Sequence, residues 1–218
     1  MRMTTIAAAG ALAALLTGVA VAHDGVKHET PEDTARHAAS SAADAANTPG
    51  FPNVVGGDYH LTDHFGHERS SKDPDGNYQL VFFGYASCKA ICSVALPRMA
   101  QAVDLLVKEG IAVTPLLITV DPERDTAHAM REAVPEIHPK MIGLTGSEDA
   151  LGEAYKAFGV EKKLVHVHPT EGPIYAHGTF VYLTGPDGTF KTLMPPVLSP
   201  ERMAEIVTSY AKKEGAGG

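Results

Sequence analysis

Short apolar runs alternate along the body of the chain with longer segments in which apolar residues recur every three or four positions. The first pattern predicts buried strands and the second predicts amphipathic helices. The predicted strands are residues 79–85, 112–120, 141–144, 163–168, 179–184 and 190–194. The predicted helices run from Cys88 to a stop at Gly110, from 121 to about 134, from 147 to 158, and from 199 to about 213.

Residues with known preferences for helix ends and turns mark several of these boundaries. Asp121 followed by Pro122 is a helix start signal, because Asp caps open N–H groups and Pro suits the first turn. Pro97, inside the first predicted helix, is expected to kink it or to mark its true start. Residues 185–188, Gly-Pro-Asp-Gly, predict a hairpin turn. This order of elements predicts an α/β, thioredoxin-like fold with a central mixed sheet flanked by helices.

The amino terminus has the pattern of a secretory signal peptide, which we assign to residues 1–22. Arg2 precedes an uncharged stretch that ends in Ala20-Val21-Ala22, an A-x-A cleavage site. Cleavage predicts an exported, periplasmic protein without stable membrane insertion. The alternative is a retained anchor facing the periplasm, because the uncharged stretch is just long enough to span a bilayer.

The rest of the chain divides by composition. Residues 23–55 are small and polar and contain histidines, so they bury too little apolar surface to offset their ordering entropy, and we predict a flexible arm. Residues 56–213 are enough for one thioredoxin-like domain, and 214–218 are predicted to be a flexible tail. The formal net charge is −8, and no basic stripe is present, which argues against nucleic acid as a partner.

Cys88 and Cys92 are the only cysteines in the chain. Two thiols four positions apart at the start of a helix lie on one face, with Cβ atoms roughly 5–6 Å apart. They can therefore share a soft metal ion or form a disulfide. A purely structural cross-link is disfavoured, because so short a loop removes little entropy from the unfolded chain. Lys89 and the helix N-terminus are expected to lower the pKa of the more exposed cysteine, Cys88.

Three sequence blocks resemble the Sco/SenC family. They read FGYASCKAIC (residues 83–92), TVDPERDT (119–126) and AHGTFVYL (176–183), and Pro186-Asp187-Gly188 follows the last of them. Residues 61–63, Leu-Thr-Asp, also fit the opening hairpin of the family, so the resemblance covers about residues 56–213. It implies a thioredoxin-like fold with an N-terminal hairpin extension.

The same resemblance implies a function. Family members bind copper through two cysteines and a histidine, which here match Cys88, Cys92 and His177, and they are implicated in maturing the CuA centre of cytochrome c oxidase. Some members act in thiol redox chemistry. The chain departs from the family at Lys89, Ala90 and Ser93, where an acidic residue between the cysteines and a proline after each cysteine are usual.

The ligand chemistry is consistent with copper. Two thiolates and one imidazole suit Cu(I) at low coordination number, and they can also hold Cu(II). Zinc is the rival, and a structural zinc site would need a fourth ligand, which His166 or His168 would supply.

Two further residues are candidates around this site. The sequence signal makes Asp121 a helix cap, and the resemblance to the family implies that it also lies near the cysteines and tunes them. If cleavage follows Ala22, His23 begins the mature chain and offers an amine and an imidazole to an accessory metal ion; a solvated polar tail is the alternative.

We therefore expect an exported copper chaperone rather than an enzyme. It would pass copper by ligand exchange to an acceptor protein, such as a cytochrome c oxidase subunit or another copper chaperone. One alternative is a thiol–disulfide oxidoreductase in which Cys88 and Cys92 form the redox pair. Another is periplasmic copper sequestration by the histidine-containing arm. The sequence has neither a G-x-S-x-G elbow nor a phosphate-binding glycine loop, which argues against hydrolase and nucleotide chemistry.

Overall fold

The structure is a computed structural model and describes residues 55–88 and 91–215. The predicted signal peptide, nearly all of the predicted arm with His23, and Lys89 lie outside the described residues. The elements in chain order are β1 (His60–Asp63), β2 (Glu68–Ser70), β3 (Tyr78–Gly84), α1 (Cys92–Lys108), β4 (Val113–Thr119), α2 (Ala127–Ile137), β5 (Ile142–Thr145), α3 (Glu148–Phe158), β6 (Lys162–His168), β7 (Gly172–His177), β8 (Val181–Thr184), β9 (Phe190–Met194) and α4 (Pro200–Gly215). No helix in these ranges is long and apolar enough to cross a membrane.

Seven strands form one mixed sheet in the order β2-β1-β5-β4-β3-β8-β9. The central strands β3, β4 and β5 are parallel, whereas β1 pairs antiparallel with β5 and β8 pairs antiparallel with β3. The β1–β2 hairpin extends the sheet at the N-terminal end of the domain. The predicted α/β fold, a mixed sheet flanked by helices with an N-terminal hairpin, is therefore confirmed. Strands β6 and β7 form a separate two-stranded sheet, which we call the ribbon.

The core lies on both faces of β3, all seven residues of which are buried. Such a strand reads as a continuous apolar run because the helices that connect parallel strands cover both faces of the sheet. Phe83 packs against the rings of Tyr155, Phe158 and Tyr182, with centroids 6.0, 5.4 and 5.8 Å away. Full burial of each large apolar side chain contributes about 1.5–3 kcal/mol relative to exposure, so this cluster fixes the strand that leads to the cysteines.

The predicted start of α2 at Asp121 is wrong. The helix begins at Ala127, and Thr126 caps it by accepting a hydrogen bond from the N–H of Ala129 at 3.2 Å. The carboxylate of Asp121 is instead engaged by Arg124. The helix also continues through Pro135 to Ile137, past the predicted end. A local start signal was therefore overridden by an ion pair, and the next available cap took its place.

Local signals predicted some of the other element boundaries correctly and missed others. Helix α3 has both expected ends, since Ser147 caps its first turn and Gly159 closes it in the left-handed conformation at φ 64°. Pro97 lies inside α1, which begins at Cys92, so this proline does not mark the start of the helix. Strand β7 was missed because its Gly172-Pro173 opening is typical of a loop. Helix α4 runs two residues past its predicted end, to Gly215.

The sheet topology brings three chain segments to one edge. Strands β3 and β4 are parallel and both end there, and β8, antiparallel to β3, begins there, with Phe82 opposite Val181. The residues after β3, those after β4 and those before β8 must therefore lie close together. They are the three blocks that the sequence analysis singled out.

Candidate metal centre

Cys88, Cys92 and His177 come together at this edge of the sheet. Cys88 lies in the loop after β3, Cys92 is the first residue of α1, and His177 is the last residue of β7. One ligand atom from each lies within 4.8 Å of those of the other two. The structure thus assembles, from distant parts of the chain, the three side chains predicted as metal ligands.

The two cysteines are buried, with Cys88 9% and Cys92 1% exposed. A hydrogen bond with the thiol of Cys88, followed by burial, raises the pKa of Cys92 well above its usual range. Cys92 therefore keeps its proton in the metal-free protein, and a metal ion must displace that proton to bind the thiolate. The expected effect of Lys89 on the pKa of Cys88 remains a prediction, because Lys89 lies outside the described residues.

Gly84 leaves room for the sulfur of Cys92. A Cβ atom at this position would lie 3.0 Å from Cys92 Sγ and 3.0 Å from Cε1 of Phe82. Contacts this close require the neighbouring atoms to move. The absence of a side chain at the end of β3 therefore lets the first residue of α1 approach the strand.

His177 is oriented by the contacts of its ring. Its Nδ1–H donates to the carbonyl oxygen of Gly178 at 2.9 Å, which leaves the lone pair on Nε2. The ring packs edge-on against Phe82 and Tyr85, with both centroids 6.3 Å away. The tautomer and the ring position both suit coordination through Nε2.

Tyr85 is buried beside Cys88 and was not predicted as a site residue. Its side chain is 4% exposed, and its hydroxyl is hydrogen-bonded to Cys88. Burial, followed by the charge and hydrogen bond of Cys88, raises the pKa of Tyr85 to about 12. The only sequence signal was a tyrosine that ends an otherwise apolar run, and it was counted as part of the strand.

Arg124 joins the site to the ribbon, and it was missed as well. Its guanidinium donates to the carboxylate of Asp121 and to the carbonyl oxygens of Glu171 and Pro173, the last at 2.7 Å. It also lies over the ring of Tyr85, 5.3 Å from the centroid. One side chain therefore holds the loop after β4, the ring behind Cys88 and the turn between β6 and β7.

Two of the three acidic residues of the TVDPERDT block, Asp121 and Asp125, hold this loop in place. Asp121 is fully buried, with one carboxylate oxygen bound by Arg124, while Oδ1 has no hydrogen-bond partner among the described residues. Asp125 accepts from the N–H of Ala86 at 3.0 Å and from the hydroxyl of Thr119 at 2.8 Å, which anchors the cysteine loop. Burial raises the pKa of Asp125.

The structure does not bring His166 or His168 to the cysteines. In the ribbon, Lys162 is opposite His177, whereas His166 and His168 are opposite Ile174 and Gly172. At about 3.3 Å per residue, they lie roughly 13 and 20 Å along the strand from the position opposite His177. Their own rings are 6.4 Å apart. His23, the other accessory candidate, and the arm on which sequestration depends lie outside the described residues.

The donor set determines what this site can hold. Two sulfurs and one imidazole nitrogen form a soft, low-coordinate set that fits Cu(I) and also accepts Cu(II). Within residues 55–88 and 91–215, no fourth His, Cys, Asp or Glu joins the cluster. A structural zinc site is usually closed by four protein ligands, so the arrangement favours copper.

Fold and site together define a class of protein: a thioredoxin-like domain whose buried Cys-x₃-Cys pair faces a histidine at the end of a separate ribbon. Residues 47–212 match the SCO1/SenC family. This chain belongs to that family, as the sequence blocks predicted.

Relatives and solved structures agree with this assignment. The chain is 36% identical over 155 residues to the SCO2-like protein of Rickettsia conorii, covering 70% of this chain and 75% of that protein. It is 34% identical over 165 residues to the mitochondrial SCO2 homologue of Danio rerio, covering 72% of this chain but only 57% of that protein. The crystal structure of Arabidopsis thaliana ScoI with copper bound has 28% identity and a TM-score of 0.69, and the match covers 73% of this chain and 99% of that one.

Proposed function

We propose that this protein binds one copper ion through Cys88, Cys92 and His177 and passes it to an acceptor protein. The observation that carries the proposal is the convergence of the three ligand atoms within 4.8 Å at one edge of the sheet. The copper-bound Arabidopsis ScoI, which shares the fold, supports copper as the metal.

The geometry suits transfer better than permanent storage. A three-coordinate ion leaves room for an entering thiolate or thioether, which can form its bond before one of the three original bonds breaks. Cys88 is the more exposed of the two thiols, and His177 is half-buried, so an incoming ligand approaches from their side. Transfer then proceeds by ligand exchange, with no net redox change at the ion.

The acceptor that we propose is a CuA-type site of cytochrome c oxidase, or a chaperone that supplies it, in the periplasm. The proposal follows from membership of the family and from the signal-like residues 1–22. Copper passes there as cargo, and the protein acts as a carrier rather than as an enzyme.

We also propose that Asp121 acts on the site indirectly. Its buried charge is held by Arg124, which lies over the ring of Tyr85, and the hydroxyl of Tyr85 contacts Cys88. Through this chain of contacts, the carboxylate of Asp121 can influence the cysteines. It replaces the helix-capping role predicted from the sequence.

The test is copper binding by single-ligand variants. Cys88→Ser, Cys92→Ser and His177→Ala should each reduce copper affinity by more than the roughly 10- to 100-fold that outer-shell changes cost. The wild type should bind one copper per chain and show intense thiolate-to-Cu(II) charge-transfer absorption. His128→Ala, an exposed position on α2, is the matched control. Wild-type affinity for both Cu(I) and Cu(II) in His177→Ala would contradict the three-ligand site.

A second candidate function is thiol–disulfide exchange, favoured by the direct hydrogen bond between the two thiols. In that reaction, the pair loses two protons and two electrons to the disulfide of a partner, whose cysteines are reduced. The two functions separate in one experiment, in which turnover with a disulfide-containing test protein is compared with copper transfer to an apo CuA-type acceptor. Efficient disulfide turnover without copper transfer would favour the redox function.

A further inference from the structure

The ribbon is exposed on its outer strand. Strand β7 is mostly half-buried, with Tyr175 packed against the core, whereas five successive residues of β6 are exposed. The two strands pair only with each other in the part of the chain that the structure describes. The outer edge of β6 therefore offers unpaired backbone groups to solvent.

The exposed strand is apolar to an unusual degree. Leu164, Val165 and Val167 are 50%, 59% and 64% exposed. They are three of the seven large hydrophobic side chains exposed within residues 55–88 and 91–215. The pairing of β6 with β7 has an irregularity between Leu164 and His166, and bulges of this kind protect edge strands from aggregation. Exposed apolar patches on natural proteins commonly mark interaction sites.

The charge of the ribbon is opposite to that of the chain as a whole. The formal net charge of the chain, counted with neutral histidines, is −8. In contrast, β6 carries Lys162 and Lys163, and neither β6 nor β7 contains an acidic residue, although Glu161 and Glu171 lie just outside the two strands. Lys162 contacts Glu148 at 3.3 Å, while Lys163 is exposed. A cationic, apolar patch on an acidic protein is complementary to an acidic partner surface that has its own exposed apolar side chains.

Position decides between a protein and a lipid surface as the partner. Anionic lipid would also attract a cationic, apolar strand. However, the base of the ribbon is the copper site itself, since Lys162 is opposite His177. A protein bound along β6 therefore has side chains close to the proposed copper ligands and can accept the ion. A lipid surface bound there has no thiolate or imidazole with which to accept it.

We propose that the outer face of the ribbon is the docking surface for the protein that exchanges copper at Cys88, Cys92 and His177, and that this partner presents an acidic surface with exposed apolar side chains. The proposal rests on the proposed copper-delivery function and names the kind of partner for it. Apolar contact through Val165 and Val167 holds the complex, and Lys163 steers its formation.

The experiment measures copper transfer from the full chain to an apo CuA-type domain, followed through the absorption of the filled acceptor. The ribbon variant is Val165→Ser with Val167→Ser and Lys163→Glu. Its matched control is Val107→Ser with Lys108→Glu at the far end of α1, where Val107 is 41% exposed. The ribbon variant should keep wild-type copper affinity and spectrum but transfer copper at least about tenfold more slowly, with a weaker salt dependence, because association is lost. The control should stay within about twofold of wild type.

The outcomes separate the docking surface from the delivery function. If the ribbon variant transfers copper at the wild-type rate, the docking surface is overturned and the delivery function stands. The same holds if the ribbon variant loses binding to phosphatidylglycerol vesicles but still transfers copper normally. A fall in the copper affinity of the variant would also overturn it, because the substituted side chains would then be structural. If the wild type forms a ribbon-dependent complex but transfers no copper, delivery fails and the docking surface stands. If it forms no complex at all, both fail.

Discussion

At the scale of single residues, the geometry of the proposed copper site depends on how closely its side chains can approach the neighbouring backbone. Gly84 admits the sulfur of Cys92, and the carbonyl of Gly178 fixes which nitrogen of His177 carries the proton. The cysteines and the histidine could be identified from sequence because their motifs are local. Tyr85 and Arg124 could not, because their roles depend on contacts with residues as distant in sequence as Pro173.

Substitution of Gly84 tests this closeness. Gly84→Ala should weaken copper binding and lower the stability of the metal-free protein by about 1–3 kcal/mol, because the added methyl group presses on Cys92 and Phe82. The measurements are competition for Cu(I) with a chelator and thermal unfolding of the metal-free protein. Gly152→Ala is the control, since a Cβ atom there meets nothing within 4 Å and Gly152 lies within α3. The control should bind copper normally and be up to about 1 kcal/mol more stable. Equal copper affinity in both variants would show that the space at Gly84 does not matter.

At the scale of elements, predictions succeeded where the signal was local. The apolar runs identified β3, β4 and β8, and Ser147 with Gly159 identified both ends of α3. The start of α2 was wrong because the carboxylate that signals it is used by Arg124 instead. The ribbon was only half recognised, since β7 owes its position to docking against the core and has no clear alternation of its own.

The β1–β2 hairpin gives a prediction about pH. Burial alone would raise the pKa of Asp63, but the N–H groups of His67 and Phe65 and the guanidinium of Arg69 outweigh it and lower that pKa. Because the folded-state pKa is below the unfolded value of about 3.9, the stabilisation is fully present above that value and is lost as pH falls through the folded pKa. Asp63→Asn should lower stability at pH 7 and flatten its dependence on pH below about 5. Urea unfolding at several pH values measures this, and an unchanged acid limb would contradict it.

Arg124 gives a prediction about the ribbon. Arg124→Lys keeps the positive charge but loses the planar fork that reaches Asp121 and the two carbonyl oxygens together. We expect faster amide exchange in β7 and weaker Cu(II) binding, with the overall fold retained. Arg202→Lys, which alters an exposed pair with Glu205, is the control and should leave both unchanged. Protection of β7 equal to wild type in Arg124→Lys would remove Arg124 as the anchor.

At the scale of the whole molecule, the proposed ligands belong to three separate parts of the fold. A metal ion that binds only the folded chain raises its stability by mass action, by about 4 kcal/mol at a free concentration of one thousand times Kd. We therefore expect Cu(I) to raise the Tm of the wild type in a concentration-dependent way and to leave the Tm of Cys92→Ser nearly unchanged. Scanning calorimetry across a copper titration measures this, and equal shifts in both proteins would place the stabilising copper elsewhere.

The position of His177 at the end of a strand outside the main sheet has a thermodynamic consequence. If copper binds two thiolates of the main domain and one imidazole of the ribbon, it cross-links the ribbon to the main domain. Closure of the ribbon against the main domain and binding of copper are then linked equilibria, and linkage is reciprocal. A partner that binds the open arrangement lowers the affinity for copper by some factor, and copper lowers the affinity for that partner by the same factor. A carrier built this way can hold its cargo tightly in isolation and release it on encounter, without any change in the ion itself.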